Sequence, residues 1–295
     1  MLLKPEYINA AGKLLDLRTP KVMGVLNITP DSFYKGSRVT EGKEILKIAS
    51  DMLKNGADIL DIGGYSSRPG AEVITAEEEK KRVLNAICLI HKEFPDAILS
   101  IDTFRSDIAR EAVVDCGASM VNDISGGEAD KNMFSVIQEL NIPYIIMHMK
   151  GKPENMQDNP VYDDVVAEIL TWFGEKIVRL HSAGVKDIIV DPGFGFGKTV
   201  KHNFEILTRL GDFSITGLPL LAGLSRKSMI WKTLDVSPDE ALNGTTVLNT
   251  IALFKGADIL RVHDVREAVQ AIRLVEMVKG QGKDFENIYK ENKVR

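Results

Sequence analysis

The sequence predicts an α/β protein that folds as a single-domain (β/α)8 TIM barrel, from two alternating patterns and one internal repeat. The first pattern is a set of eight short apolar runs that each end in a polar side chain. They occupy residues 22–28, 57–63, 97–103, 120–125, 144–149, 187–192, 219–225 and 257–263. A parallel barrel builds its active site from the carboxyl ends of its strands, which gives a reason for a polar residue at each end.

The second pattern is a set of helical segments, in which apolar residues recur at spacings of three and four. They occupy residues 41–55, 76–93, 105–116, 129–140, 161–183 and 264–279. Gly56, Gly117 and Gly184 directly follow three of these segments, and Gly256 directly precedes the last apolar run. A left-handed helix cap is favoured at such positions. Helices that alternate with buried strands predict βαβ units and a parallel sheet.

The internal repeat links two distant parts of the chain. Residues 56–62 read Gly-Ala-Asp-Ile-Leu-Asp-Ile, and residues 256–262 read Gly-Ala-Asp-Ile-Leu-Arg-Val. Equivalent cap-and-strand units fit a closed ring of βα modules, with a doubly wound open sheet as the alternative. Nothing in the composition marks an internal domain boundary. The predicted organisation is an N-terminal extension at 1–21, the barrel at 22–279 and a charged tail at 280–295.

Composition restricts the class of protein. The net charge of −5 argues against a nucleic-acid surface, so any anionic substrate must meet a local basic cluster. No apolar run approaches the roughly 18 residues of a membrane span, and the first 20 residues lack a secretory apolar core. We therefore expect a soluble, cytoplasmic protein with neither nucleic acid nor membrane as partner. The two cysteines, Cys88 and Cys116, are expected to be buried free thiols.

The first two predicted strands lead into polar loops. Asn27 ends the first strand as an uncharged oxygen ligand, and the loop after it is expected to cover the barrel mouth. The loop after the second strand contains two glycines, two serine hydroxyls and an arginine, over residues 63–68. Close backbone approach, hydroxyl donors and a bidentate cation are what a phosphate-binding loop needs.

Three further strands end in Asp102, Asn122 and Asp191. These side chains could bind the donor and acceptor edge of a nitrogen heterocycle, or they could ligate a metal. Buried carboxylates are costly unless they are paired, so a structural role for all three is disfavoured. Asp123, next to Asn122, should face the opposite side of its strand.

The glycine-rich segment 193–199 is not a phosphate loop. That motif requires Gly-x-x-x-x-Gly-Lys-Ser/Thr, and Pro192 stands where the first glycine belongs. The segment is better interpreted as presenting Phe196 as an apolar wall for a flat ligand. His148, which follows the fifth strand, has no clear role.

The last two strands suggest an anion site. Ser225 is expected to cap the helix that follows the seventh strand, leaving free backbone N–H groups at the barrel mouth. Alternation places Arg261 and His263 on one face of the eighth strand, where both could point at the same anion.

With these pieces in order, the chain closely resembles the dihydropteroate synthases, a folate-pathway group within the pterin-binding family of (β/α)8 barrels. The resemblance spans the chain. It rests on residues 27–33, 61–71, 100–103, 121–126, 191–197, 225–227 and 261–264.

The resemblance implies a reaction and a set of roles. Dihydropterin-CH₂-diphosphate binds deep in the barrel, and p-aminobenzoate displaces its diphosphate to give 7,8-dihydropteroate. Residues implied at the pterin are Asp102, Asn122, Met147, Asp191, Lys227 and Arg261. Residues implied at the diphosphate are Asn27, Ser67, Arg68, Arg261 and His263. Phe196 and Ser228 border the p-aminobenzoate slot, Asn27 touches a Mg²⁺ cofactor, and Asp102, Lys227 and Arg68 are the catalytic residues. The resemblance also implies sulfonamide binding and a homodimer formed through the later helices.

The chain departs from the family pattern in two loops. Where the family commonly has Ser-Asp-Gly-Gly, residues 34–37 read Tyr-Lys-Gly-Ser, and Tyr65 replaces a common glutamate. Neither departure touches the implied pterin residues. Two other functions are weighed against the synthase: a methyltransferase that passes a methyl group from methyltetrahydrofolate to a corrinoid protein, and a catalytically silent pterin-binding paralogue.

Overall fold

Eight parallel strands form a closed barrel in the computed structural model, which describes residues 4–28, 38–65, 74–151, 156 and 159–280, without the side chains of 38–41. The barrel strands are β3 Lys21–Asn27, β4 Ile59–Gly63, β5 Ile98–Asp102, β6 Met120–Asp123, β7 Tyr144–Met147, β8 Ile188–Asp191, β9 Leu221–Ala222 and β10 Ile259–Val262. Their order is β8-β7-β6-β5-β4-β3-β10-β9, and a parallel bridge from Val190 to Leu220 closes the ring. The predicted TIM barrel is confirmed, and the open doubly wound sheet is excluded.

Helices surround the barrel. They are α1 Arg38–Lys54, α2 Ala76–Glu93, α3 Ser106–Val114, α4 Met133–Leu140, α5 Val165–Ser182, α6 Val200–Thr208, α7 Ser228–Leu234, α8 Leu242–Phe254 and α9 Val265–Val278. All six predicted helical segments are present, and the four predicted cap glycines have positive φ angles. Sequence reasoning missed α6 and α8. On α8 both the buried face and the exposed face carry apolar residues, so the spacing of three and four is lost.

The predicted strands all exist, and seven of them are shorter than their apolar runs. The first is as long as its run and begins one residue earlier. The seventh differs most, because residues 219–225 contain only the two-residue strand β9. The chain turns immediately afterwards, where the Lys227 N–H donates to the Leu224 carbonyl at 3.2 Å. Side chains beyond that point belong to the loops at the barrel mouth.

The interior of the barrel has an apolar layer below a polar one. One buried residue from each strand forms the apolar layer: Met23, Ile59, Ile98, Met120, Ile145, Ile189, Leu221 and Ile259. Two residues further along each strand, on the same face, lie Val25, Asp61, Ser100, Asn122, Met147, Asp191, Gly223 and Arg261. The change from apolar to polar side chains therefore occurs within one step of the strand pleat and sets the floor of the site.

An N-terminal hairpin covers the opposite end of the barrel. Strands β1 Tyr7–Ala10 and β2 Lys13–Asp16 pair antiparallel, and Ile8 and Leu15 pack against the apolar layer. The region predicted only as an extension thus closes the amino end. The boundary at residue 22 stays a prediction, and the predicted tail lies outside the described residues from 281 onward.

The internal repeat has a structural reason. Asp58 and Asp258 occupy equivalent places at the amino ends of β4 and β10. Asp58 accepts a hydrogen bond from the Val22 N–H at 2.8 Å, and Asp258 accepts one from the Leu220 N–H at 2.7 Å. Each carboxylate joins its own strand to a neighbour, which explains why the same residues recur.

The two cysteines are joined by a disulfide, and the prediction of buried free thiols is wrong. Cys88 lies on the exposed side of α2, and Cys116 lies just beyond the end of α3. The prediction failed because 27 residues separate them in the sequence, whereas α2 and α3 are adjacent in space.

None of the described helices is long and apolar enough to cross a membrane.

Candidate active site

Arg261 connects two carboxylates at the floor of the barrel mouth. Its Nε donates to Asp61 Oδ2 at 2.6 Å, and its Nη2 donates to Asp102 Oδ2 at 2.7 Å. Asp61 is fully buried, and the Asp102 side chain is 18% exposed. Strands β4, β5 and β10 supply the three residues. The guanidinium therefore holds two carboxylates near one another that would repel strongly without it.

The amide of Asn122 is oriented by the same carboxylate. Its Nδ2 donates to Asp61 Oδ2 at 3.0 Å, and the reversed amide would place two oxygens against each other. The Asn122 carbonyl and its second N–H are then available to a ligand. Two buried atoms on neighbouring strands, Asp61 Oδ1 and Ser100 Oγ, have no hydrogen-bond partner among the described residues. Buried polar atoms are normally satisfied, so this floor fits a polar ligand or ordered water.

Asp191 and Lys227 face each other across Gly223. A Cβ added at Gly223 would lie 3.7 Å from Lys227 Nζ and 3.9 Å from both Asp191 Oδ2 and the Cβ of Arg261. The glycine thus leaves space where three of the predicted pterin residues converge. Asp191 Oδ1 accepts from the Gly193 N–H at 2.8 Å, which leaves Oδ2 facing the mouth.

Burial shifts the proton affinities of these groups toward neutral pH. It raises the pKa of Asp102 to about 7, although the Arg261 charge acts in the opposite direction. It raises the pKa of Asp191, opposed by Lys227. It lowers the pKa of Lys227 to about 8, opposed by Asp191. Groups shifted in this way by burial and by a specific partner, at the mouth of a barrel, are typical of an active site.

Aromatic and apolar side chains form the wall above this floor. Lys227 Nζ donates to the Phe194 carbonyl and lies 4.7 Å from the centroid of the Phe196 ring. Met147 is buried on β7, beside the turn at Gly193. Phe196, the predicted wall, therefore lies next to Lys227, a predicted pterin residue. Ser228, the other residue predicted at the p-aminobenzoate slot, follows Lys227 directly in the sequence.

The predicted cap at Ser225 is wrong. Helix α7 begins at Ser228, and Lys227 occupies the cap position without a side-chain hydrogen bond. The Ser225 hydroxyl is 3.0 Å from His263 Nδ1 and accepts the His263 backbone N–H at 3.2 Å. Asp264 binds the neighbouring Arg226 through both carboxylate oxygens, so that arginine points away from the mouth. The exposed His263 stays at the rim, on the same strand face as Arg261.

Two predicted diphosphate residues, Ser67 and Arg68, lie outside the described residues. Asn27 lies at the carboxyl end of β3, in register with Gly63 and half-buried.

Asp123 faces away from the barrel axis as predicted, where its carboxylate accepts from the Tyr144 hydroxyl at 2.6 Å. Its role is structural.

The described residues contain no group of three or more His, Cys, Asp or Glu side chains that could hold a metal. Of the two interpretations of Asp102, Asn122 and Asp191, the heterocycle is favoured because Asn122, Asp191 and Lys227 bring both donors and acceptors to the floor. The sequence analysis gives Asp61 no role. In the internal repeat, Asp61 and Arg261 occupy the same position of the two matching units and carry opposite charges. Because these two side chains form an ion pair in the structure, this correspondence is the signal that could have found Asp61.

The chain is similar to proteins of one known family. A model of the pterin binding enzyme family matches residues 23–263. Dihydropteroate synthase from Escherichia coli strain K12 is 44% identical over 269 residues, which cover 90% of this chain and 94% of that protein.

Two solved structures have the same architecture. Yersinia pestis dihydropteroate synthase in complex with a sulfonamide drug is 39% identical with a TM-score of 0.87, covering 93% of this chain and 99% of that one. Xanthomonas albilineans dihydropteroate synthase in complex with 7,8-dihydropteroate is 35% identical with a TM-score of 0.83, covering 92% and 98%. This chain therefore belongs to the pterin-binding enzyme family, in the group of dihydropteroate synthases.

Proposed function

We propose that the chain condenses 6-hydroxymethyl-7,8-dihydropterin diphosphate with p-aminobenzoate, giving 7,8-dihydropteroate and diphosphate in folate biosynthesis. The observation that carries the proposal is the polar floor of the barrel. There Asn122, Asp191 and Lys227 offer acceptors and donors to a flat heterocycle, and Arg261 links Asp61 to Asp102 beside them. A pterin edge carries both donors and acceptors and matches such a set.

The reaction requires one bond to form and one to break. The lone pair of the amino nitrogen attacks the pterin methylene carbon. The bond from that carbon to the diphosphate oxygen breaks, and the oxygen leaves with the electron pair. The attacking amine is neutral at pH 7 and then releases one proton to water. No nucleophile is needed from the protein, which is consistent with the acid, amide and cation side chains at the site.

The protein must stabilise two developing charges. Positive charge grows on the pterin methylene as the diphosphate departs, and the Asp102 carboxylate is placed to stabilise it through the ring. Negative charge grows on the diphosphate, for which Arg261 and His263 lie on one strand face with Asn27 on the neighbouring strand β3. Ser67 and Arg68 are proposed to complete that side.

A magnesium cofactor fits the residues around Asn27 only if the substrate supplies most of the oxygen ligands of the metal. Asn27 offers one neutral oxygen, and Mg²⁺ is often held by a few protein groups together with substrate phosphates and water. When bound, it would neutralise charge on the departing diphosphate. Asn27 would orient the diphosphate toward the barrel mouth.

The p-aminobenzoate subsite is proposed beside Phe196 and Ser228, and sulfonamides would compete there. Phe196 supplies an aromatic wall at the edge of the pterin floor.

We also propose a cytoplasmic location. A disulfide is unusual in a reducing compartment, so the oxidation state of Cys88 in the cell tests that location directly.

The decisive experiment mixes purified protein, Mg²⁺, the dihydropterin diphosphate and p-aminobenzoate, and follows both products. We expect diphosphate and 7,8-dihydropteroate to appear in equal amounts. Diphosphate without dihydropteroate would mean that water captures the pterin, and pterin binding without either product would identify a silent paralogue. Methyl transfer from methyltetrahydrofolate to a corrinoid protein would replace the proposal altogether.

The pH dependence of turnover should be bell-shaped and narrow. With p-aminobenzoate saturating, kcat/KM for the dihydropterin diphosphate should rise as Asp102 loses its proton near pH 7. It should fall as Lys227 loses its proton near pH 8. Steady-state rates across the neutral range measure both limbs. In Lys227→Arg the alkaline limb should move upward, and a limb that stays in place would contradict the assignment to Lys227.

Asn27→Ala should weaken the response to Mg²⁺ more than it weakens pterin binding. Loss of one oxygen ligand should raise the Mg²⁺ concentration for half-maximal rate about tenfold, the lower end of what loss of a supporting metal-site group costs. A magnesium titration at saturating substrates measures the effect. The conservative variant Asn27→Asp should retain most of the response, and an unchanged titration in Asn27→Ala would exclude this residue from the site.

The exposed face of α8 and α9 is proposed as a homodimer interface. Val247, Ile251 and Phe254 follow one another along α8 at helical spacing, and Leu274 and Val278 do so on α9; all five are exposed. The native mass should be about twice 32.6 kDa, and Phe254→Glu should shift it toward the monomer. Light scattering checks both. Val178→Glu, an exposed apolar position on α5, is the matched control and should leave the mass unchanged.

A further inference from the structure

Lys198 is a buried lysine that the proposed reaction does not use. Burial lowers the pKa of its amine well below the ordinary value, whereas the nearby Asp191 charge favours the protonated form. Lys198 is the last residue but one of the glycine-rich segment 193–199, and only 2% of the residue is exposed. Its neighbour His148 follows β7 and is also buried. A lysine is rarely buried unless its charge is fully bonded, so this position needs a reason.

Three acceptors surround the Lys198 ammonium. They are His148 Nδ1 at 3.1 Å, the His148 carbonyl at 3.1 Å and the Phe196 carbonyl at 2.9 Å. An ammonium has three donors, so each has a partner. Burial and the Lys198 charge lower the pKa of His148 to about 2, which keeps its imidazole neutral and leaves Nδ1 free to accept.

Two glycines bring the loops after β7 and β8 into direct contact. Gly193 and Gly197 have φ angles of +72° and +59°, and a Cβ on either would overlap a carbonyl oxygen, that of His148 or of Lys150. Tyr162 also donates its hydroxyl to the Gly197 carbonyl at 2.8 Å. Lys198 joins these loops at the centre of their contact, so its bonds determine how one loop lies on the other.

Phe196 is held between two lysines. Lys227 donates to the Phe194 carbonyl and lies against the Phe196 ring, while Lys198 donates to the Phe196 carbonyl. The Phe196 N–H donates to the Gly193 carbonyl at 3.1 Å, which closes the turn. The backbone of Phe196 is therefore held at both its N–H and its carbonyl. Lys198 makes no hydrogen bond to Asp191 or Lys227 on the polar floor and acts on their charges only through space.

We propose that Lys198, supported by His148, is a positioning residue that holds the Phe196 ring as the wall of the aromatic-amine subsite. It thereby determines the affinity for p-aminobenzoate and for competitors of the same shape. The inference rests on the proposed function, because Phe196 must border that subsite. Lys198 itself touches neither substrate and is not a catalytic residue.

The test separates the two Michaelis constants. In Lys198→Met, which keeps the length and removes the donors, KM for p-aminobenzoate and the inhibition constant of a sulfonamide should both rise about tenfold. KM for the dihydropterin diphosphate should change less than about twofold. A variant that is merely less stable would lose active enzyme and kcat without changing either KM. A rise of both KM values together, or an unchanged KM for p-aminobenzoate, would overturn the inference.

A second pair of variants covers the case in which Lys198→Met does not fold. His148→Asn keeps an acceptor near the Nδ1 position and should retain the wild-type KM for p-aminobenzoate, whereas His148→Leu should raise it. Equal values in these two variants would also overturn the inference. Phe196→Leu checks the underlying assignment, since an unchanged KM there removes Phe196 from the subsite. Wild-type protein that forms no dihydropteroate refutes the proposed function itself, before any variant is compared.

Discussion

Replacement of Asp102 by asparagine should lower kcat by about 10²- to 10³-fold, the usual cost of removing one electrostatic stabiliser of a transition state. The change keeps the shape of the side chain and removes its charge. Asp102 lies on the floor beside Asn122, its partner in the register of β5 and β6. In the proposed reaction its negative charge stabilises the positive charge that develops on the pterin methylene, so the loss should fall on the chemical step.

Single-turnover rates at saturating substrates measure this effect. Asp123→Asn is the matched control, because Asp123 is also a buried carboxylate on β6 but faces Tyr144 and Ser125 outside the barrel. The control should lower the free energy of unfolding and leave kcat of the folded protein near the wild-type value. If both variants lost kcat equally, Asp102 would have no special part in the chemistry.

Replacement of Arg261 by methionine should destabilise the protein by about 3 to 5 kcal/mol, the range measured when one partner of a buried ion pair is removed. Arg261 is the partner of both Asp61 and Asp102, which would be left without a counter-charge. The affinity for the dihydropterin diphosphate should fall as well, because the diphosphate loses a cation. Urea unfolding and KM for that substrate measure the two effects separately.

A double variant identifies the cause of the lost stability. Asp61→Asn removes one of the two uncompensated charges, so Arg261→Met with Asp61→Asn should be more stable than Arg261→Met alone. The double variant should not recover substrate affinity, because the cation is still absent. Strict additivity of the two losses in stability would contradict a direct ion pair between these residues.

Much of the fold could be predicted from the sequence because its signals are local. The apolar runs, the helical spacing and the cap glycines each depend on a few neighbouring residues, and together they were sufficient for eight strands and most of the helices. Helix α8 was missed because apolar residues on its exposed face obscure the spacing, and the N-terminal hairpin was missed because its partners come from all eight strands. Strand alternation alone placed Asn122 and Asp123 on opposite faces.

The sequence by itself determined which residue types stand at the carboxyl ends of the strands, since one apolar run and its last side chain lie within a few positions. The tertiary structure decided which of them pair. Arg261 meets Asp61 across 200 positions of chain and Asp102 across 159, and only closure of the barrel brings them together. Packing of neighbouring units joins Lys198 to His148 across 50 positions and Cys88 to Cys116 across 28. Two side chains pair only when they are close in space, and the distance between residues far apart in the sequence is known only once the chain has folded.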